Sequence, residues 1–243
     1  MAPATGSVEL GYVASFIARP TDTGAAAAAL GPDERRLYTH PREGLIKVTP
    51  EAETLARDLA ASAHDSWSRI ERFWRFVMTR LRIGVINYEE LDAANPLAWA
   101  LENGWCDCQL GAALLATLCR AVGIPARLVS GYALDRDTPY FHYWAEAWID
   151  CRGWAPLDTL SWSLSRGGRD PEWTDYLFGE VNYRMLTERL PRLFNGAGAV
   201  RFPATVMRLG RIRDGGLEQG YYNADTGSLI YADHVAVLES EVL

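Results

Sequence analysis

Residues 104–127 read GWCDCQLGAALLATLCRAVGIPAR. From Leu110 to Val122 this text is apolar on nearly every face. That is the pattern of a helix buried at the centre of a domain, not of an amphipathic surface helix. Gly123 supplies the stop, and Pro125 prevents continuation. Cys108 falls where the helix should begin. Unpaired backbone N–H groups and the positive end of the helix dipole favour an anion there, and the same N–H groups can face a developing oxyanion. A catalytic thiol needs both of those aids and a base to move protons.

The text on either side sets the fold class. Downstream the period changes to two: ARLVSGYAL (126–134), HYWAEAWID (142–150) and WAPLD (154–158) read as strands joined by short polar turns, an antiparallel meander. Upstream, Thr49 is an N-cap with Pro50 at the first helical position, and Glu51 and Glu53 suit the dipole. Leu55, Leu59 and Ala60 form its apolar stripe. A second helix starts near Asp65, with Trp67, Ile70, Phe73, Trp74, Val77, Met78 and Leu81 recurring at three and four. Asn95-Pro96 opens a third, PLAWALEN, which Gly104 ends. Residues 6–19 have the alternation of a strand, and 23–31 (TGAAAAALG) are either a short helix or a connection. The stretch DYLFGEVNYRMLTERL (175–190) is expected to be helical in part. The tail returns to strand text: VRFPATVMRLGRI, LEQGYYN, SLIYA and HVAVLES, with a turn at Asp225-Thr226-Gly227. Helices followed by sheet give an α+β domain. The whole of 1–243 is expected to be one domain: a helical part to about 104, a core over about 104–159 and an extension over about 160–243.

Composition bounds the function. The chain has 243 residues, 49% of them hydrophobic and 23% charged. That is enough to bury a core without staples. A net charge of −7 with no long basic run argues against nucleic acid as a partner. No apolar run reaches the ~18 residues that a bilayer span needs, so no membrane partner is expected. MAPATGSVELGY has no basic region followed by an apolar stretch, so a cytoplasmic location is expected. Thiols stay reduced there, which leaves Cys106, Cys108, Cys119 and Cys151 for catalysis, metal binding or packing, not for disulfides.

Of four histidines, His142 begins a strand. Alternation puts His142, Trp144, Glu146 and Trp148 on one face. Asp158 closes the next strand, where an aspartate can stand beside the imidazole, orient it and stabilise its charged form.

The surrounding blocks resemble the transglutaminase-like superfamily, whose fold is that of papain-like cysteine proteases. Cys108 is followed by Arg120 twelve residues later and by Gly123-Ile124-Pro125-Ala126-Arg127 at fifteen to nineteen, then by VSGY at 129–132. The family's H-x-W-x-E is His142-Tyr143-Trp144-Ala145-Glu146. Its G-W-x-x-L-D is Gly153-Trp154-Ala155-Pro156-Leu157-Asp158. The resemblance implies a central helix carrying the nucleophile, packed on an antiparallel sheet. It also implies a catalytic triad of Cys108, His142 and Asp158. Cys106 follows a Gly-Trp pair that also looks familial, but it lies two residues too early for Arg120 and GIPAR. It stands where the family has a glycine, which leaves room for a redox pairing with Cys108.

The implied chemistry is cysteine-dependent acyl transfer through a thioester, on a peptide-like or small-molecule amide or ester. Water as acceptor gives a peptidase or amidase, and an amine gives a new amide. Trp105 and Trp144 are the expected substrate walls. Gln109, Trp99 or Trp105 can add an oxyanion donor beside the Cys108 N–H. Arg127 and Glu146 are expected to be structural, Trp148 and Cys119 to be core, and Cys151 to be incidental. No cofactor or metal is expected, and no calcium-loop motif is present. Two other readings remain: an inactive binding module of the same fold, and a zinc site on Cys106, Cys108, Cys151 and a histidine, for which C-x-C is a weak signature.

Overall fold

The structure is a computed structural model. It describes residues 28–86, 88, 90–134, 139–150, 152–181 and 184–190 and the backbone of 207–208, 217–224 and 227–234, with single positions at 6, 13, 15, 17 and 238. The expected strand over 6–19, most of the alanine-rich patch, most of VRFPATVMRLGRI, the text beyond His234 and Cys151 lie outside these residues.

Among the described residues five helices precede the main sheet: α1 (Pro32–Tyr38), α2 (Pro50–Ala60), α3 (Ser66–Arg80), α4 (Pro96–Asn103) and α5 (Cys108–Ala121). The starts of three are capped as the sequence predicts. Thr49 accepts from the Ala52 N–H at 3.3 Å, Asp65 from Ser68 at 2.8 Å and Asn95 from Ala98 at 3.3 Å. Each bond satisfies a donor that a helix start otherwise leaves orphaned. Gly104 ends α4 in a left-handed conformation (φ 70). Glycine reaches that conformation without the cost a side chain would add. The helix α1 was not legible in the sequence.

Every residue of α5 from Gln109 to Arg120 is buried. Ala112, Ala113 and Ala116 with Leu110, Leu114, Leu115 and Leu118 belong to the core, where α5 packs against α2, α3 and the main sheet. Between α1 and α2 lies a short hairpin, β1 (Arg42–Glu43) and β2 (Ile46–Lys47). Before α5 comes a short parallel pair, β3 (Arg82–Ile83) and β4 (Trp105–Cys106). Cys106 is therefore in a short strand that leads into α5. The Gly84 N–H donates to the Cys106 carbonyl at 2.9 Å and fixes that segment.

The main sheet holds β5 (Ala126–Ala133), β6 (Tyr140–Ile149) and β7 (Gly153–Leu157) as an antiparallel meander, with a fourth strand, β8 (Arg184–Arg189), on the other side of β5. The expectation of helix within 175–190 is corrected at β8. Residues Arg184, Met185, Leu186, Glu188 and Arg189 favour helix locally. Pairing with the otherwise open edge of β5 satisfies their backbone groups and overrides that preference. A bulge at Ser130/Gly131 accommodates the pairing. A Cβ on Gly131 would collide with the Met185 carbonyl, so only glycine fits. A short helix α6 (Ser161–Leu164) and residues 171–179 brace the end of β7: the Asp158 N–H donates to the Leu177 carbonyl at 3.1 Å and the Gly179 N–H to the Pro156 carbonyl at 2.7 Å. In the tail, β9 (Met207–Arg208), β10 (Leu217–Ala224) and β11 (Gly227–His234) form a separate three-stranded antiparallel sheet.

Two arginines of the motif text hold these layers together. Arg120, 4% exposed, donates to the Ala126 carbonyl (2.8 Å) and the His40 carbonyl (2.7 Å), joining the end of α5 to the start of β5 and to the segment after α1. Arg127 pairs with Glu146 across β5 and β6 at 2.6 Å. Its guanidinium also lies 3.8 Å from the Trp154 ring centre, where the face of the indole attracts a cation. Both arginines act structurally, as expected for Arg127 and Glu146.

Replacing Arg127 by Met leaves the Glu146 carboxylate largely buried without its cation. The expected loss is about 3 kcal/mol of unfolding free energy. R127M/E146L should recover most of it, since removing both charges removes the unpaired one. Urea unfolding of the two variants checks this.

Candidate active site

Cys108 is the first residue of α5 and is half-buried. Asp107 caps the helix by accepting from the Leu110 N–H at 2.8 Å. The Tyr88 hydroxyl lies 2.8 and 2.9 Å from the two Asp107 carboxylate oxygens and 3.2 Å from Gln109 Oε1. A phenol thus shares the charge of a carboxylate that stands directly beside the thiol. Burial, followed by the charges of Asp107 and Cys108, pushes the Tyr88 phenol well above its ordinary value, so it stays a donor.

His142 is on β6, and β7 places Asp158 next to it. The β6–β7 register pairs Ala145 with Leu157. One step further puts Asp158 opposite Trp144, a same-face neighbour of His142. The imidazole Nε2 lies 2.7 Å from Asp158 Oδ1, which leaves Nδ1 for another partner, and Cys108 stands near enough for its charge to act on the ring. Asp158 is fully buried. Its Oδ1 also accepts from the Leu160 N–H at 2.9 Å, and its Oδ2 accepts from Arg184 Nη2 at 3.0 Å. Arg184 pairs with Ala133 and Ala133 with Tyr140, so Arg184 shares the His142 face of the sheet. Only the small side chain of Ala133 and the bare Gly131 lie on β5 between Arg184 and that part of β6.

Burial by itself pulls the His142 pKa down. The charges of Asp158 and Cys108 and the hydrogen bond to Asp158 outweigh it and carry the pKa from 6.5 up to about 10. Burial by itself would raise Asp158, but His142 and then Arg184 hold it below its ordinary value. The arrangement favours imidazolium beside carboxylate, the state that can deliver a proton to a leaving group.

The other expected site residues fall as follows. Trp105 is 41% exposed, three residues before Cys108, with its ring against Gly84. Trp144 is 3% exposed and stacks on His142 with centres 6.5 Å apart. Cys106 is fully buried against Gly111 and Thr159, and burial with the neighbouring charges of Asp107 and Cys108 pushes its thiol well above the ordinary value. A thiol so placed is a poor nucleophile at neutral pH, which favours Cys108 on physical grounds as spacing did. Gln109 is buried behind the thiol, next to Tyr88. Cys119 is a core residue whose thiol burial raises to about 12, against a smaller opposing effect of Arg120. Trp148 is buried. Among the described residues no three His, Cys, Asp or Glu side chains cluster as metal ligands.

Sequence reasoning missed Asp107, Tyr88 and Arg184. Asp107 carried a readable signal, an aspartate directly before a helical run. Tyr88 and Arg184 carried none, because each reaches the site only through tertiary approach.

Residues 53–159 match the family model described as the transglutaminase-like superfamily. A solved candidate cysteine protease from Cytophaga hutchinsonii superposes with a TM-score of 0.50 at 16% identity, over 88% of this chain and 59% of that one. The periplasmic domain of TgpA from Pseudomonas aeruginosa gives 0.47 at 21% identity, over 59% and 53%. The chain thus spans little more than half the length of either structure. No curated protein matches the chain. The fold is the mixed α+β one that the motif text implied, a central helix on an antiparallel sheet. Among the described residues no helix is long and apolar enough to cross a membrane.

Because the folded pKa of His142 is raised, its contribution to stability is complete below about 6.5 and is lost as pH rises through about 10. The urea midpoint should fall over that window. Cys108→Ser removes a group whose charge helps hold the imidazole pKa up, so the ring should titrate at lower pH, read by NMR. Arg184→Met removes a cation that holds Asp158 ionised. Asp158 should then take up its proton at higher pH, and acid unfolding should begin at higher pH than in the parent.

Proposed function

From the transglutaminase-like character of residues 53–159, we propose that this chain is a cysteine-dependent acyl-transfer enzyme working through a thioester on Cys108. The observation that carries the reading is the His142 ring, held by buried Asp158 at 2.7 Å and near enough to Cys108, at the start of a buried helix, for the charge of that residue to act on it.

In the reaction the Cys108 thiolate attacks the carbonyl carbon of an amide or ester. The new C–S bond pushes the carbonyl electrons onto oxygen, and the Cys108 N–H at the helix start is the donor we assign to that oxyanion. The tetrahedral species collapses, the bond to nitrogen or oxygen breaks, and the His142 imidazolium gives its proton to the leaving group. The neutral imidazole then takes a proton from water or an amine as that acceptor attacks the thioester, and Cys108 leaves as thiolate. Asp158 keeps the ring oriented and stabilises its charge, while Arg184 keeps Asp158 ionised. The acceptor depends on how well the cleft excludes water and holds an amine, which these groups do not set.

Intact-mass trapping tests the reading. Peptide and small-molecule thioester donors should add one acyl group to the parent protein and none to Cys108→Ala. Adduct formation should fall by at least about a hundredfold in His142→Asn, since proton transfer by such a side chain contributes roughly that much or more. Absence of any adduct across the panel would leave a binding module of the same fold. Iodoacetamide at low pH should label Cys108 ahead of Cys106; the reverse order would overturn the choice of nucleophile.

A further inference from the structure

We infer that the cavity beside the nucleophile's lead-in strand is a subsite for a carboxylate carried by the acyl donor. The inference rests on the acyl-transfer reading above and adds the chemistry of the substrate. The cavity holds about 680 Å³, and its walls include Arg80, Arg82, Trp105 and Trp162. Neither Cys108 nor His142 lines it, so it takes a group borne by the donor and not the bond that breaks.

Its position ties it to the candidate site from both sides. Trp105 stands three residues before Cys108, and Trp162 stands four after Asp158. The β3–β4 register sets Arg82 directly across from Trp105, and its guanidinium lies 5.7 Å from the ring centre. Both indoles rest on glycine backbone. A Cβ on Gly84 would come within 2.8 Å of the Trp105 ring, and one on Gly167, itself in the left-handed region, within 3.1 Å of the Trp162 ring. The walls are therefore fixed and flat, although Trp105 is exposed.

The charge of the cavity runs against that of the chain. The protein carries a net −7, yet no carboxylate lines this cavity among the described residues, and neither Arg80 nor Arg82 is in an ion pair there. Arg80 also suits the C-terminal end of α3, whereas Arg82 has no such reason to stand where it does. A guanidinium fork matches a planar carboxylate in two parallel hydrogen bonds, and flat aromatic walls suit the methylene chain or ring that leads to it. Two arginines of this kind would draw in acyl donors that end in an acid and leave neutral ones less well held.

Two measurements test this. The first compares acylation of Cys108 by half-thioesters of four- to eight-carbon diacids with the matching monoacid thioesters, and by a peptide thioester carrying Glu or Gln. At least one acid donor should exceed its neutral partner by about tenfold or more, and the ratio should shrink towards one in R82Q and in R80Q/R82Q. Equal rates for acid and neutral donors would overturn the subsite while leaving the thioester mechanism intact. The second is calorimetric titration of Cys108→Ala with adipate, which needs no turnover. Binding that weakens about tenfold in R82Q and with added salt supports the subsite even if no donor acylates the enzyme. Adipate that fails to bind, or binds R80Q/R82Q as well as the parent, sinks it. Inorganic phosphate binding in preference to adipate would overturn the carboxylate assignment.

Discussion

The carboxylate of Asp158 is fully buried, and a buried charge without partners costs several kcal/mol. Its partners come from separate parts of the chain: the His142 ring from β6, the Arg184 guanidinium from β8 and the Leu160 N–H from the turn after β7. None of the three can be absent without stranding the charge. The sheet must therefore form in one register, with β8 added at its edge and the bulge at Ser130/Gly131 in place. Leu160 and Arg184, which lie beyond the motif text, are both bound into the site through this one group. Asp175 adds to that bracing by accepting from the Trp74 indole at 3.0 Å and from Arg75 at 2.8 Å, so α3 is tied to the same extension.

The second constraint is the helix that carries the thiol. A helix buried on all sides has its N–H groups unsatisfied only at its start, so whatever stands there meets concentrated positive potential. Asp107 uses part of that potential as the cap and Cys108 stands directly after it. Placing a carboxylate beside a thiolate is unfavourable by itself, and the Tyr88 hydroxyl offsets some of that repulsion by donating to Asp107. Gly111 serves the same end of the helix differently. A Cβ there would press within 3.2 Å of Cys106 Sγ and of Thr159, the residue after Asp158, so glycine keeps the helix close to the segment that carries the acid.

Much of this was legible because local chemistry left a mark in the text. The caps at Thr49, Asp65 and Asn95, the stop at Gly104, the apolar run of α5 and the alternation of β5 to β7 are local or periodic signals. Arg120 and Arg127 stood out by their place in motif spacing, and both prove to be clamps between layers. The reading failed where tertiary pairing decides conformation. Residues 184–189 prefer helix by composition and become strand because β5 has an open edge. Tyr88 and Arg184 come to the site from 20 residues before and 76 after Cys108, and no period or spacing connects them to it.

The sequence by itself determined the helix with a thiol at its start, the strands bearing His142 and Asp158, and the preference for Cys108 over Cys106. Each of these depends on short-range order: capping, period and fixed distance along the chain. The tertiary structure alone decided which nitrogen of His142 meets the acid, what neutralises Asp158, and that Cys106 is sealed away from reagents. It also decided that Trp144 lies stacked on the imidazole while Trp105 faces a cavity with two arginines. The reason is that burial and charge pairing are properties of approach between distant segments. Only the four-stranded sheet, packed on α5, brings those segments together.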